Sequence, residues 1–226
     1  MQDPVSYSRT LPYLCGIYET LKLSQAIQQA TASEPLTLEE EYANQESWRV
    51  SHDKLTFIVC QPVPDPSPEL KHVDAGRVDS DERMVGDVNF FIYPHDDDCD
   101  ESSGKLYEGE IDIMIADEAD RGRGFGRAAV TALLYYIVCC TDRVMTEYER
   151  GVNPTTPSGR LQSVMAKIRA ENAGSIALFK SLGFVQQGEV NYFGEVKMVL
   201  RPDEFVKLAG SKPAGYAELE YRRPNE

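Results

Sequence analysis

The chain has 226 residues, 42% of them apolar, and a formal charge of −14 from 23 Lys and Arg against 37 Asp and Glu. That excess of carboxylates argues against nucleic acid or an anionic membrane as the main partner, since both are held by displacing counterions with Lys and Arg. The length and apolar fraction suit one domain over residues 1–226 around one core.

The five cysteines (Cys15, Cys60, Cys99, Cys139, Cys140) lack C-x-x-C spacing and are odd in number, which predicts reduced, mostly buried thiols rather than a disulfide framework. No basic leader opens the sequence and no apolar run approaches the length of a membrane span. These features predict a monomer in the cytoplasm or nucleus.

In chain order, residues 1–30 have helical spacing only in their second half and no convincing strand. Pro35 ends that stretch. Thr37 and Glu40 form a T-x-x-E capping box, with Leu38, Tyr42 and Gln45 on one helix face and Trp48 close behind. Strands are predicted at Lys54–Cys60 and Met84–Pro94, pairing as a long-looped hairpin. The acidic run "HDDDCDESSG" reads as a solvated loop rather than a metal site.

The clearest strand is "GEIDIMIAD", Gly109–Asp117, with Ile111, Ile113 and Ile115 on one face and Glu110, Asp112 and Met114 on the other. "AAVTALLYYIVCC" is apolar nearly all round, which predicts a buried helix. Ser163–Glu171 is another strand. Asn172 caps the following helix, and Gly183 ends it in a left-handed turn. "FVQQGEVNYF" and "GEVKMVLR" form a final hairpin, and residues 203–226 read as a loosely held tail with one short helix. No internal repeat is visible.

Between the Gly109–Asp117 strand and the buried helix lies "RGRGFGR". A dinucleotide fingerprint needs a third glycine where Arg127 stands, and a P-loop needs G-K-[ST], which is absent. RNA-binding Arg-Gly segments belong to disordered chain, not to a strand–helix junction. Gly122, Gly124 and Gly126 can instead aim several N–H groups at one point beside the positive end of a helix dipole. A sharp strand–helix turn with no ligand remains the alternative at this level.

Arg121, Gly124 and Gly126 also fit R-x-x-G-x-G, and "NAGSIALFKSLGF" follows about forty-five residues after Arg127. In that order and spacing the pair resembles the GCN5-related N-acetyltransferase superfamily. "TASEPLTLEEEY", "MVGDVNFF", "EIDIMIA" and "RGRGFGRAAV" resemble its eukaryotic N-acetyltransferase nine family more narrowly, firmly over residues 31–200. The fold implied is α/β, a mixed sheet whose central parallel strands splay apart between flanking helices. "MQDPVSYSRTLPYLCGIYETLKLS" does not resemble the family's usual opening, which leaves open a sheet without its first edge strand.

The resemblance further implies acetyl-CoA as cosubstrate, no metal, and a protein or peptide amine as acceptor, tubulin being a family-level suggestion. Pantetheine would pair with the backbone of Met114 and Ile115. Pyrophosphate would lie on the amides of Arg121, Gly122, Arg123, Gly124, Phe125, Gly126 and Arg127. Asn172 would hold the pantetheine arm from the other side, and Phe179 would pack beside the thioester.

Two positions depart from relatives: Phe179 stands where many carry an acidic tyrosine, and Lys167 where another branch carries a basic glutamate. Glu110, eleven residues ahead of Arg121, matches the spacing of the catalytic glutamate in the histone-type branch. It is the candidate base, with Asp112 and Tyr192 behind it. Two function classes follow: an N-acetyltransferase acting on a protein amine, by preference an N-terminal α-amine, or a catalytically weak acyl-CoA-binding or microtubule-associated protein of the same fold.

Overall fold

The computed structural model describes residues 37, 39–40, 43, 47–48, 51–63, 70–95, 105–152, 159–209 and 211–222. A six-stranded sheet takes the strands in the order β1-β3-β4-β5-β7-β6. These are β1 (Lys54–Cys60), β3 (Met84–Pro94), β4 (Leu106–Ile115), β5 (Arg160–Arg169), β6 (Val185–Gln187) and β7 (Glu195–Leu200). β2 (His72–Asp74) and β8 (Glu220–Arg222) pair in parallel apart from it. The helices are α1 (Phe125–Val152), α2 (Ala173–Ser181) and α3 (Pro202–Ala209).

β1, β3 and β4 pair antiparallel, β4 and β5 parallel, and β5, β7 and β6 antiparallel again. The expected hairpins and the mixed sheet with flanking helices are therefore present. Residues 1–36 lie outside the described residues, and with them the expectation about the first edge strand. The capping box forms as its sequence requires: Glu40 Oε2 accepts from the Thr37 N–H at 2.8 Å, and Thr37 Oγ1 accepts from the Glu40 N–H at 3.3 Å. Leu38, Tyr42 and Gln45, expected on that helix face, lie outside the described residues, as does the acidic loop from 96 to 104.

Alternation sends Val88, Phe90 and Ile92 of β3, Ile111 of β4, Val164, Ala166 and Ile168 of β5, and Val196, Met198 and Leu200 of β7 into one buried cluster. α1 closes it with Val130, Leu133, Leu134 and Ile137, the spacing of a single helix face. Two glycines permit close approaches within the sheet. A Cβ on Gly109 would stand 2.3 Å from the Phe90 ring, and one on Gly86 would stand 1.9 Å from the Met114 carbonyl oxygen.

Several expectations need correction. α1 is not buried all round: Cys139 is exposed and Cys140 only half-buried, as is Cys60, although all three are free thiols. The helix also runs twelve residues past Cys140, where its dihedrals leave the helical region (φ −116°, ψ 15°). Thr141 is the cause at hand, because its hydroxyl donates to the carbonyl of Ile137 at 2.7 Å and competes with the backbone ladder. The stretch Phe125–Gly151 is long and apolar enough, by length and composition, to cross a membrane, but here its buried face packs on the sheet.

The tail is also better held than its polarity suggests. α3 packs on α1 through Phe205, and Tyr216 meets Tyr135 edge-on with ring centroids 4.7 Å apart. Tyr221 donates its hydroxyl to the buried carboxylate of Asp79 at 2.6 Å, beside the β2–β8 pairing.

Candidate active site

β4 and β5 stay in register only as far as Glu110 opposite Met165. Beyond that pair β4 runs on to Ile115 and β5 to Arg169 without bonding each other, so the sheet opens into a wedge at its centre. Before the opening the strands are laced on their polar face by Glu108, which accepts from Ser163 at 2.9 Å and from Lys197 at 2.8 Å.

Ladder alternation decides which backbone groups line the wedge. The N–H of Ala116 donates to the Val85 carbonyl across β3, so Met114, two residues back, also turns its backbone toward β3. The backbone of Ile113 and Ile115 then faces the open side. Of the two residues expected to pair with pantetheine, Ile115 turns its backbone to the open side and Met114 does not; Ile113 is the other residue that does. The Ile115 carbonyl accepts from Arg121 Nε at 3.0 Å.

The glycine loop leads from β4 into α1. Gly122 and Gly124 have φ of +75° and +96°, and a Cβ on either would meet no atom within 4 Å, so conformation rather than crowding requires glycine there. The Ala128 N–H donates to the Gly124 carbonyl at 3.0 Å, which makes Gly124 the entry residue of α1. The amides of Phe125, Gly126 and Arg127 form the first turn, with no acidic side chain among them. Left-handed glycines, unpaired first-turn amides and an open wedge fit a phosphate-bearing, extended cosubstrate.

The three arginines are not free charges. Arg121 lies 3.7 Å from Glu118, Arg123 pairs with Asp120 at 2.5 Å, and Arg127 donates to the Ser181 hydroxyl at 2.6 Å. Asn172 caps α2, its side-chain oxygen accepting from the Ser175 N–H at 3.0 Å. Phe179 is only 2% exposed and meets Phe184 edge-on at 5.0 Å. The ring expected beside the thioester is thus packed in the apolar core cluster.

Glu110 projects from the polar face as predicted, but not as a free strand carboxylate. It is 17% exposed and holds Lys167 Nζ at 2.8 Å, a contact between the two strands where they part. Partial burial works against the Lys167 charge, yet the hydrogen bond and charge of Glu110 outweigh it and raise the lysine's pKa. Lys167 also sits 5.8 Å from the Tyr93 ring, and burial followed by the charge of Glu110 raises the Tyr93 phenol.

Asp112 shares the face; its side chain is open to solvent at the surface, yet the protein packed around it desolvates the carboxyl and, with the charge of Glu110, pushes it above the ordinary range. Tyr192 is 96% exposed at the tip of the β6–β7 turn and is not brought to this cluster. Among the described residues, no group of three or more His, Cys, Asp or Glu side chains converges as a metal set.

Sequence reading missed the polar network beside this face. The Thr56 hydroxyl donates to Asn89 at 2.7 Å and Asn89 donates to Asp87 at 2.6 Å, all three being buried. Lys54 stands 3.9 Å from the Trp48 ring, its pKa lowered by burial against the opposing pull of Asp87, Asp112 and Asp53. Polar residues alternating along β1 and β3 were the available signal, but in isolation they read as a solvated face.

The acetyltransferase (GNAT) domain family matches residues 17–185. This chain belongs to the GNAT acetyltransferases. Within that family it is 37% identical over 187 residues to the human alpha/beta-tubulin-N-acetyltransferase 9, covering 83% of this chain and 74% of the relative. The Drosophila melanogaster protein of the same name is 34% identical over 183 residues (80% and 75%). An N-acetyltransferase 9-like protein of Schizosaccharomyces pombe is 33% identical over 199 residues (81% and 86%).

Among solved structures, an aminoglycoside acetyltransferase in complex with coenzyme A superposes with a TM-score of 0.55 at 14% identity, covering 88% of this chain and 95% of the other. A domain from Methanocaldococcus jannaschii superposes with a TM-score of 0.52 at 18% identity, covering 85% and 94%. Both show the shared fold. As a GNAT enzyme the chain is an N-acetyltransferase with acetyl-CoA as cosubstrate, and the wedge and glycine loop are the parts of it that suit that molecule.

Proposed function

We propose that this GNAT enzyme acetylates the N-terminal α-amine of a protein. The observation that carries the reading is the Glu110–Lys167 ion pair at the opening of the wedge. Glu110, bound to an ammonium, is a weak base, and any other carboxylate of this face is still far less basic than a lysine amine, so the site favours an acceptor that is easily deprotonated. An α-amine titrates near 8 and a lysine near 10.4, so the lysine is harder to deprotonate by roughly 2.4 units, about 3 kcal/mol. The carboxylates of the same face draw a cationic N-terminus in before it loses its proton. Asn172 would steady the pantetheine arm, and the loop amides from Arg121 to Arg127 would take the pyrophosphate.

The names of the human and Drosophila relatives make tubulin the first protein to try as acceptor. Net charge does not help that pairing, so recognition would have to be local. The test is a competition, followed by mass spectrometry, between peptides with free N-termini and peptides with blocked N-termini but free lysines. N-terminal acetylation should dominate. Equal or faster modification of the lysine peptides would overturn the preference. With whole tubulin, the same method locates the acetyl group.

A further inference from the structure

We propose that Asp112, rather than Glu110, receives the proton of the acceptor amine, while Lys167 keeps Glu110 occupied. The inference rests on the acetyl-transfer reading above and assigns a residue within it. Three geometric facts support it. Glu110 is the last β4 residue in register with β5 and is held by Lys167 at 2.8 Å. Asp112 lies two residues further along the same face, about 7 Å toward the mouth of the wedge where β5 has already parted, and is exposed to what enters there. Asp112 takes part in no ion pair among the described residues, and the next residue, Ile113, turns its backbone toward the wedge.

The charges around Asp112 act in the same direction. Lys54 reaches toward it from β1 and stabilises its anion, but desolvation and the neighbouring Glu110 charge prevail and raise its pKa. Asp53 ahead of β1, Asp87 and Tyr93 on β3 and Lys167 on β5 also face this part of the sheet; Asp87 and Asp53 draw on Lys54, while Tyr93 and Lys167 engage Glu110. A carboxylate made more basic, open to an incoming ligand and held in no ion pair is better suited to accept a proton than one bound to lysine.

An ammonium sheds two protons on becoming an amide. Asp112 takes the first, freeing the nitrogen lone pair, and returns it to water. The nitrogen then bonds to the acetyl carbon, the carbon–sulfur bond breaks with its electron pair going to sulfur, and the second proton ends on the departing thiolate.

The test compares Asp112→Asn, Glu110→Gln and Lys167→Met with wild type, using whichever amine peptide wild type acetylates, so that a lysine preference defeats the acceptor reading without touching this one. Calorimetry with acetyl-CoA checks that binding and fold persist. Asp112→Asn should lower turnover by roughly 10²–10⁴ and flatten the pH profile. Glu110→Gln removes the neighbouring negative charge, lowers the aspartate's proton affinity, and should cost at most about tenfold while shifting the acid limb to lower pH. Lys167→Met should shift that limb to higher pH.

Asp112→Asn within about threefold of wild type, well short of a general-base effect, overturns the assignment. So does a loss of the 10²–10⁴ size in Glu110→Gln. Carbon-13 titration of labelled aspartate needs no acceptor: an Asp112 midpoint above the ordinary carboxylate value that falls in Glu110→Gln supports the assignment, and one at or below that value overturns it.

Discussion

Replacing Phe179 by tyrosine would restore the hydroxyl that many relatives carry at this helix position, and the structure gives a definite expectation for it. The ring is 2% exposed and stands edge-on to Phe184 at 5.0 Å within an apolar cluster. A hydroxyl added there loses its water and gains no hydrogen bond in an apolar surround, which costs about 1–3 kcal/mol. For a domain of this size each kcal/mol lowers Tm by about 2–4 °C. A central value of about 2 kcal/mol therefore corresponds to a fall of about 4–8 °C. Thermal unfolding without ligand measures the loss, and turnover well below Tm should match wild type. An unchanged Tm with turnover raised about tenfold, the scale of acid catalysis, would show that the hydroxyl reaches the wedge and would refute the burial argument.

Gly124→Ala meets no atom at its Cβ, so its whole effect is the strain of φ +96°, of order 1–3 kcal/mol. Relief of that strain should re-aim the loop amides and weaken acetyl-CoA at least about tenfold by calorimetry, with the sheet still folded; unchanged affinity would mean the loop amides do not bind it. Tyr221→Phe deprives the buried Asp79 carboxylate of its 2.6 Å donor and should lower stability by about 1.5–3 kcal/mol in urea, and no loss would mean that the tail is not anchored there.

Asp112→Asn should raise Tm at neutral pH. The raised carboxyl pKa means the native state keeps its proton longer than the unfolded chain, so wild-type stability falls as pH climbs from the ordinary 3.8 through the raised value. The Tm difference from wild type should be small at the acid end of that window and level off above it. A difference independent of pH would place the effect in packing instead.

The sequence by itself determined the parts whose signals are local. Alternation along Ile111 and Ile113, the Thr37–Glu40 box, the Asn172 cap and the turn at Gly183 each follow from neighbouring residues, and each is found in the structure. The glycine loop was legible because left-handed φ leaves few alternatives to glycine. Burial and pairing were decided by tertiary structure, because they depend on residues far apart in the chain.

Nothing near Glu110 in sequence marks Lys167, fifty-seven residues later, as its partner; the parallel register of β4 and β5 brings them together. Phe179 sits on a helix whose sequence does not say which face meets the sheet. Met114 and Ile113 differ only in which way their peptide groups point, and that is fixed by the register with β3. The polar tail looked loose because the partners of its Tyr221 and β8, Asp79 and β2, lie more than a hundred residues before them. Local chemistry wrote the elements and the loop. The charge state and exposure of the site arose only when β5 was laid beside β4 and then parted from it.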